Sequence, residues 1–233
     1  MTLPRLLGRL APVVLLAACR AGPQPTVASP VQEQMFTHFA LARDLRAFVV
    51  NGDLERLRVT AEELAAEEPA WGMPPGSDAH RERVHDAARS AEEAADAPEA
   101  AVAVARVAAA CGACHLANDV GLGERFQVAA PLMSDPAVRH TNYLSWVSRL
   151  LWDGLVGPSE GMWRTGAGAL AGGDGVPAPR GTYVPADEVA RSAARLRALG
   201  ADAAVAVEPE DRVRILGEVW AACAECHVQA GVR

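Results

Sequence analysis

Residues 100–115 read AAVAVARVAAACGACH and residues 212–227 read RVRILGEVWAACAECH, two stretches that close on the same pentad, Cys-x-x-Cys-His. That pentad is the attachment site of c-type haem. Its two thiols add to the two vinyl groups of one porphyrin, and the neighbouring imidazole is then held where it can coordinate the iron as proximal ligand. Cys111, Cys114 and His115 make up the first copy, Cys223, Cys226 and His227 the second, so the expected cofactors are two covalently attached haem c. Each pentad ends an Ala-containing run of helical character, which points to an all-α chain.

Two other chemistries use paired cysteines. A zinc site needs two Cys pairs, or a Cys pair and a distant His pair, gathered round one ion, whereas here each His abuts its own second Cys. A thioredoxin-like dithiol needs strands around it, and the flanks are helical. Four of the five cysteines sit in the pentads and the fifth is Cys19, so no thiol is left for a structural disulfide.

Cys19 closes Leu16-Ala17-Ala18-Cys19, after Arg5, Arg9 and an apolar run from Leu10 to Ala18. The run is too short to span a bilayer and reads as an export signal over residues 1–18. Its end resembles the bacterial lipobox, in which the Cys is lipid-modified and becomes the mature N-terminus; several acyl chains on Cys19 anchor stably where one holds only marginally. The alternative is an ordinary cleavable signal. Either way the mature chain lies outside the cytoplasm. Arg20 stands where an acidic residue often signals inner-membrane retention in some bacteria, which favours the outer membrane, facing the periplasm. No other apolar run reads as long enough to cross a membrane.

Loss of Arg5 and Arg9 takes the formal charge from -7 to -9, and haem propionates add to it. This disfavours a nucleic-acid partner and suits redox partner proteins with a basic docking face. All 22 basic residues are Arg, a sign of a GC-rich genome rather than of binding.

The chain repeats. His38 and His140 are 102 residues apart, and the pairs Asn51-Gly52 with Asp153-Gly154 and Arg89-Ser90 with Arg191-Ser192 keep that shift; the pentads differ by 112. About ten residues are therefore inserted in the second copy, around Gly200 to Pro209, and two equivalent domains follow. The expected layout is a tether over 19–30, a first haem unit over 31–118, a linker over 119–133 and a second haem unit over 134–233. In the first unit, Ser29-Pro30-Val31-Gln32 reads as a capping box with Pro at the first helical position, opening a helix that stops at Asn51-Gly52. Helices over 53–68, 77–96 and from Pro98 into Cys111 complete a four-helix set. In the second unit, helices are expected from Ser134-Asp135-Pro136 to Asp153-Gly154, over 159–170, 185–199 and 208–223, with a Gly- and Pro-rich loop over 171–183.

A helical bundle with its haem pentad at the end of the last helix resembles the class II cytochromes c, the family of cytochrome c′ and its low-spin relatives. The resemblance covers nearly all of the mature chain and implies two tandem four-helix-bundle domains, each with a C-terminal haem site. The chain departs from the family in being duplicated, lipid-anchored and short between first helix and pentad. In the low-spin relatives the distal iron ligand comes from the first helix and is typically Met.

Only six residues follow His227, so no downstream segment can return as the opposite axial ligand of the second haem. His38 falls in line with Leu41, Leu45 and Phe48 on the first helix, and His140 with Tyr143, Val147 and Leu150 on its counterpart, each on the inward stripe. A buried imidazole Nε2 binds iron while Nδ1 is held by a carbonyl or water, so His38 and His140 are the expected distal ligands. The competing reading makes them satisfied core histidines or distal-pocket residues that never touch iron. His80 and His85 read as surface residues, Met35, Met73, Met133 and Met162 as packing, Trp220 as a neighbour of the second porphyrin, and Trp71, Trp146, Trp152 and Trp163 as ordinary core.

These readings converge on an electron carrier working by outer-sphere transfer, with two imidazoles on each iron and no catalytic residue. Two alternatives stay open: a gas or small-ligand binder like cytochrome c′, with an open distal face, and an electron-input subunit or haem enzyme such as a peroxidase.

Overall fold

The computed structural model describes residues 28–122, 136–172 and 184–231, with side chains in the second stretch from 142 onward. The export signal, Cys19, most of the tether, most of the linker and most of the Gly- and Pro-rich loop lie outside the described residues. Those described form eight α-helices and no strand: α1 Pro30–Asn51, α2 Leu54–Ala65, α3 Asp78–Glu92, α4 Ala97–Ala117, α5 Pro136–Val156, α6 Glu160–Gly172, α7 Ala186–Val205 and α8 Pro209–Gln229. The all-helical expectation holds.

Local chemistry sets the ends of α1. Ser29 Oγ accepts from the Gln32 N–H and the Gln32 side chain accepts from the Ser29 N–H, the capping box read from the sequence. At the other end Gly52 adopts φ 71°, a left-handed cap open to glycine at little cost, and its N–H turns back to the last turn. Asp53 and Asp96 cap α2 and α4 by accepting from Arg56 and Glu99 N–H groups. The last helix of each half does not stop where its pentad begins. α4 runs on to Ala117 and α8 to Gln229, so residues i, i+3 and i+4 of each pentad, the two Cys and the His, share one helical face.

Three further expectations need correction. Gly154 does not end α5, which continues to Val156; a Cβ on Gly154 would meet the Trp163 backbone N at 2.9 Å, so this glycine lets α5 and α6 approach. The inserted residues of the second half are mostly helical, lengthening α7 through Gly200 to Val205, and a Cβ at Gly200 would crowd Ala171 N at 2.4 Å. α2 and α3 are shorter than the sequence pattern implied, ending at Ala65 and Glu92.

Within the first half α1 packs on α2 and α4, and α3 on α2 and α4; in the second, α5 meets α6, α6 meets α7, and α8 meets α7 and, more lightly, α5. The halves are pressed together along α4 and α8, with α1 reaching α8 and α4 reaching α5. One buried apolar cluster takes in residues of all eight helices, among them Leu45, Leu57, Ala88, Val104, Leu151, Trp163, Leu199 and Trp220. α4 sits at its centre. By length and composition α4 is apolar enough to cross a membrane, contrary to the sequence reading, yet half of its apolar window is buried inside this protein. Its buried face is Ala and Val, and small side chains allow the close helix approach seen where Gly217 of α8 meets Val102.

Candidate functional site

Cys111, Cys114 and His115 of α4 line a cavity of about 350 Å³, and His38 of α1 lines the same cavity. This lies within the ~300–1,000 Å³ typical of pockets for organic ligands. Its walls are largely apolar: Phe39 and Ala42 from α1, Val84 from α3, Trp152 and Val156 from α5. The two residues that the sequence set on opposite sides of a porphyrin thus line one partly open cavity.

Three polar atoms of cavity-lining residues are buried with no hydrogen-bond partner: His38 Nε2, Ser77 Oγ and Arg81 Nε. A buried polar group without a partner costs roughly 1–3 kcal/mol, so three at one cavity mark a place shaped for a polar ligand. Iron and two propionate carboxylates would supply what these atoms lack: an electron-pair acceptor for imidazole Nε2, and oxygens for a hydroxyl and a guanidinium N–H. The residues fit a haem. Ser77 and Arg81 were not singled out in the sequence, although with Val84 they make an i, i+4, i+7 stripe along α3, a signal that a helical reading could have used.

His38 Nε2 lies 3.7 Å from a Glu67 carboxylate oxygen. Burial pushes the His38 pKa down, Glu67 pulling it up and His85 adding to the fall, which favours the neutral imidazole that metals bind. On the proximal side, His115 Nδ1 lies 2.7 Å from the Val156 carbonyl oxygen. A carbonyl only accepts, so Nδ1–H donates and the tautomer leaves the Nε2 lone pair free.

The second pentad repeats this arrangement. His227 Nδ1 lies 2.9 Å from the Val50 carbonyl oxygen of α1. Ahead of it Trp220 is fully buried, one turn before Cys223, its indole N–H donating to Ser148 Oγ at 2.9 Å. His140 lies in α5, but its side chain falls outside the described residues, so the distal side of this site is not defined.

Burial pushes the thiols of Cys111 and Cys223 up to about 12 and raises Cys114 and Cys226 as well. A reactive dithiol needs the opposite shift. Among the described residues no three of His, Cys, Asp and Glu gather as a ligand set for a bare ion; a porphyrin, carrying four ligand nitrogens of its own, asks only for axial ones.

Other residues stand apart from expectation. His85 is buried rather than on the surface, because α3 turns it inward beside Val84 and Ala88. His80 lines the cavity, as do Met35 and Met73, which the sequence had assigned to general packing. Trp152 is a cavity wall as well as core. Comparison with family models, with curated proteins and with solved structures found no match to this chain.

Proposed function

We propose that the chain is an extracytoplasmic dihaem c-type cytochrome, two tandem four-helix-bundle haem units that carry electrons by outer-sphere transfer. The observation that carries the reading is the single cavity onto which Cys111, Cys114 and His115 converge from α4 and His38 from α1. When bound, haem c supplies a one-electron iron couple. The chain fixes the thioether positions through Cys111 and Cys114, and Cys223 and Cys226. It orients His115 and His227 through helix-end carbonyls and offers His38, and by the repeat His140, as distal imidazoles. Ser77 and Arg81 would meet the propionates, and the wall of the cavity is largely apolar. Two imidazoles set a lower potential than His/Met ligation.

Met35 favours a second reading of the first site. It stands one turn before His38 and lines the same cavity, so a thioether could replace His38 on the iron at higher potential. Cys19 anchors the protein by lipid to the periplasmic side of a membrane, the outer one by its flanking Arg20, and the net acidic chain suits redox partners with a basic docking face.

A pyridine haemochrome assay on protein purified from a haem c-maturing host, with a resting spectrum, tests this. Two haems per chain and low-spin, six-coordinate spectra are expected. Absence of thioether-bound haem overturns the proposal. An immediate ferrous change on adding CO would favour the gas-binding alternative, and turnover with peroxide the enzymatic one.

A further inference from the structure

Two fully buried indoles lie between the first cavity and the second pentad. Trp152 of α5 is a wall of the first cavity. Its ring centroid lies 5.6 Å from that of Trp220, the planes tilted by 45°, a contact distance for an aromatic pair. Trp220 in turn stands one turn before Cys223 on α8 and is pinned by its bond to Ser148. From the first cavity to the second pentad the path crosses two rings in contact and one turn of helix.

We propose that Trp152 and Trp220 carry electron exchange between the two haems, making them one coupled pair rather than two independent carriers. This rests on the haem reading above. One electron would pass from a reduced haem at one site to an oxidised haem at the other, with no bond formed or broken and no proton moved. The rings act as a tunnelling medium and stay closed-shell. The Arg46 guanidinium lies 5.9 Å over the Trp152 ring, where its charge opposes removal of an electron from the indole. Trp152 Nε1 is buried without a partner, so a radical cation there would find no base to take its proton. Both features disfavour a radical relay and leave tunnelling through the pair.

Half-reduced holoprotein tests this by proton NMR of the haem methyl groups, with haem content checked on each sample. In the native protein, exchange between the two one-electron-reduced forms is expected to be fast enough to average their signals. Trp152→Leu and Trp220→Leu should each slow it by an order of magnitude or more. Where a Leu variant fails to retain two haems, Trp152→Phe, which keeps a ring in the core, should slow it severalfold. Separate, unaveraged signals in the native protein, or variants with two haems and unchanged exchange, overturn the proposal. A haem count below two in the native protein instead removes the reading beneath it.

Discussion

The two pentads dock in opposite ways on the same kind of partner. Each packs against the C-terminal end of the first helix of the other half, where an α-helix leaves carbonyls without intrahelical donors. In α1 the capping N–H groups take the carbonyls of Phe48 and Val49, and the next, Val50, accepts from His227. In α5, Gly157 and Ser159 N–H groups take the carbonyls of Asp153 and Gly154, and Val156 accepts from His115. The glycine that permits the approach has changed sides. At the first site it is in the pentad: a Cβ on Gly112 would fall 2.0 Å from the Leu155 carbonyl oxygen. At the second the pentad has Ala224, and the glycine is Gly52 opposite, where a Cβ would fall 2.7 Å from Val228. The two halves thus share an interlock and not the residues that make it. α1 also serves both sites, offering His38 to the first cavity and Val50 to the other site's imidazole.

The sharpest way to break this symmetry is to empty one site. Cys111→Ala with Cys114→Ala leaves the 350 Å³ cavity unfilled, which at ~24 cal/mol per Å³ costs up to about 8 kcal/mol, as much as a domain's whole stability. Urea unfolding should lose its cooperative transition over the first half. Because the docking is reciprocal, the second haem should also show a changed spectrum; an unperturbed second haem would refute the interlock. Next is Gly112→Ala. In an ordinary helix interior this exchange gains about 1 kcal/mol, but here the new methyl meets backbone and should cost about 3 kcal/mol by overpacking. The mirror change, Ala224→Gly, should cost only about 1 kcal/mol from propensity. Equal urea midpoints for the two variants would show that the sites dock alike after all.

His38→Ala sharpens the comparison at the distal side. It should open the first haem to CO and leave the second spectrum as it was, because His38 lines the first cavity alone. Met35→Leu should change neither spectrum. If instead His38→Ala is silent and Met35→Leu opens the haem, the sulfur is the ligand.

The sequence made the inward histidine, both pentads, the all-helical class and the Ser29 capping box legible, because each is a short-range pattern with its own chemistry. What stayed hidden is tertiary. Gly154 and Gly52 look alike as helix stops, yet only Gly52 takes the left-handed conformation, while Gly154 makes room for Trp163. His85 reads as polar surface until α3 is rotated onto α2 and α4. The stripe of Ser77, Arg81 and Val84 is there to be read, but that Ser77 Oγ and Arg81 Nε stand without partners on one cavity shows only in the fold. No spacing rule could show that Val50 and Val156 serve the opposite halves, since that depends on how two bundles meet.

The smallest effect sets Asn51 against its repeat partner Asp153. Asp153 is buried, bonded to the half-exposed Arg149 at 3.1 Å on its own helix and near Arg46 of α1. Burial raises its pKa, and the two arginines offset only part of that rise. A carboxyl whose native pKa exceeds its unfolded one binds more protons when folded, so its contribution is best at low pH. It worsens as pH climbs from the ordinary value of 3.8 through the raised native value. Asp153→Asn copies the first half's neutral residue and should remove that decline. Urea midpoints against pH should show the variant slightly more stable than the parent above this window and level with it, or below it, in acid. A variant that loses stability most at neutral pH would mean that the Arg149 bond outweighs burial, making Asp153 a tie rather than a burden on α5.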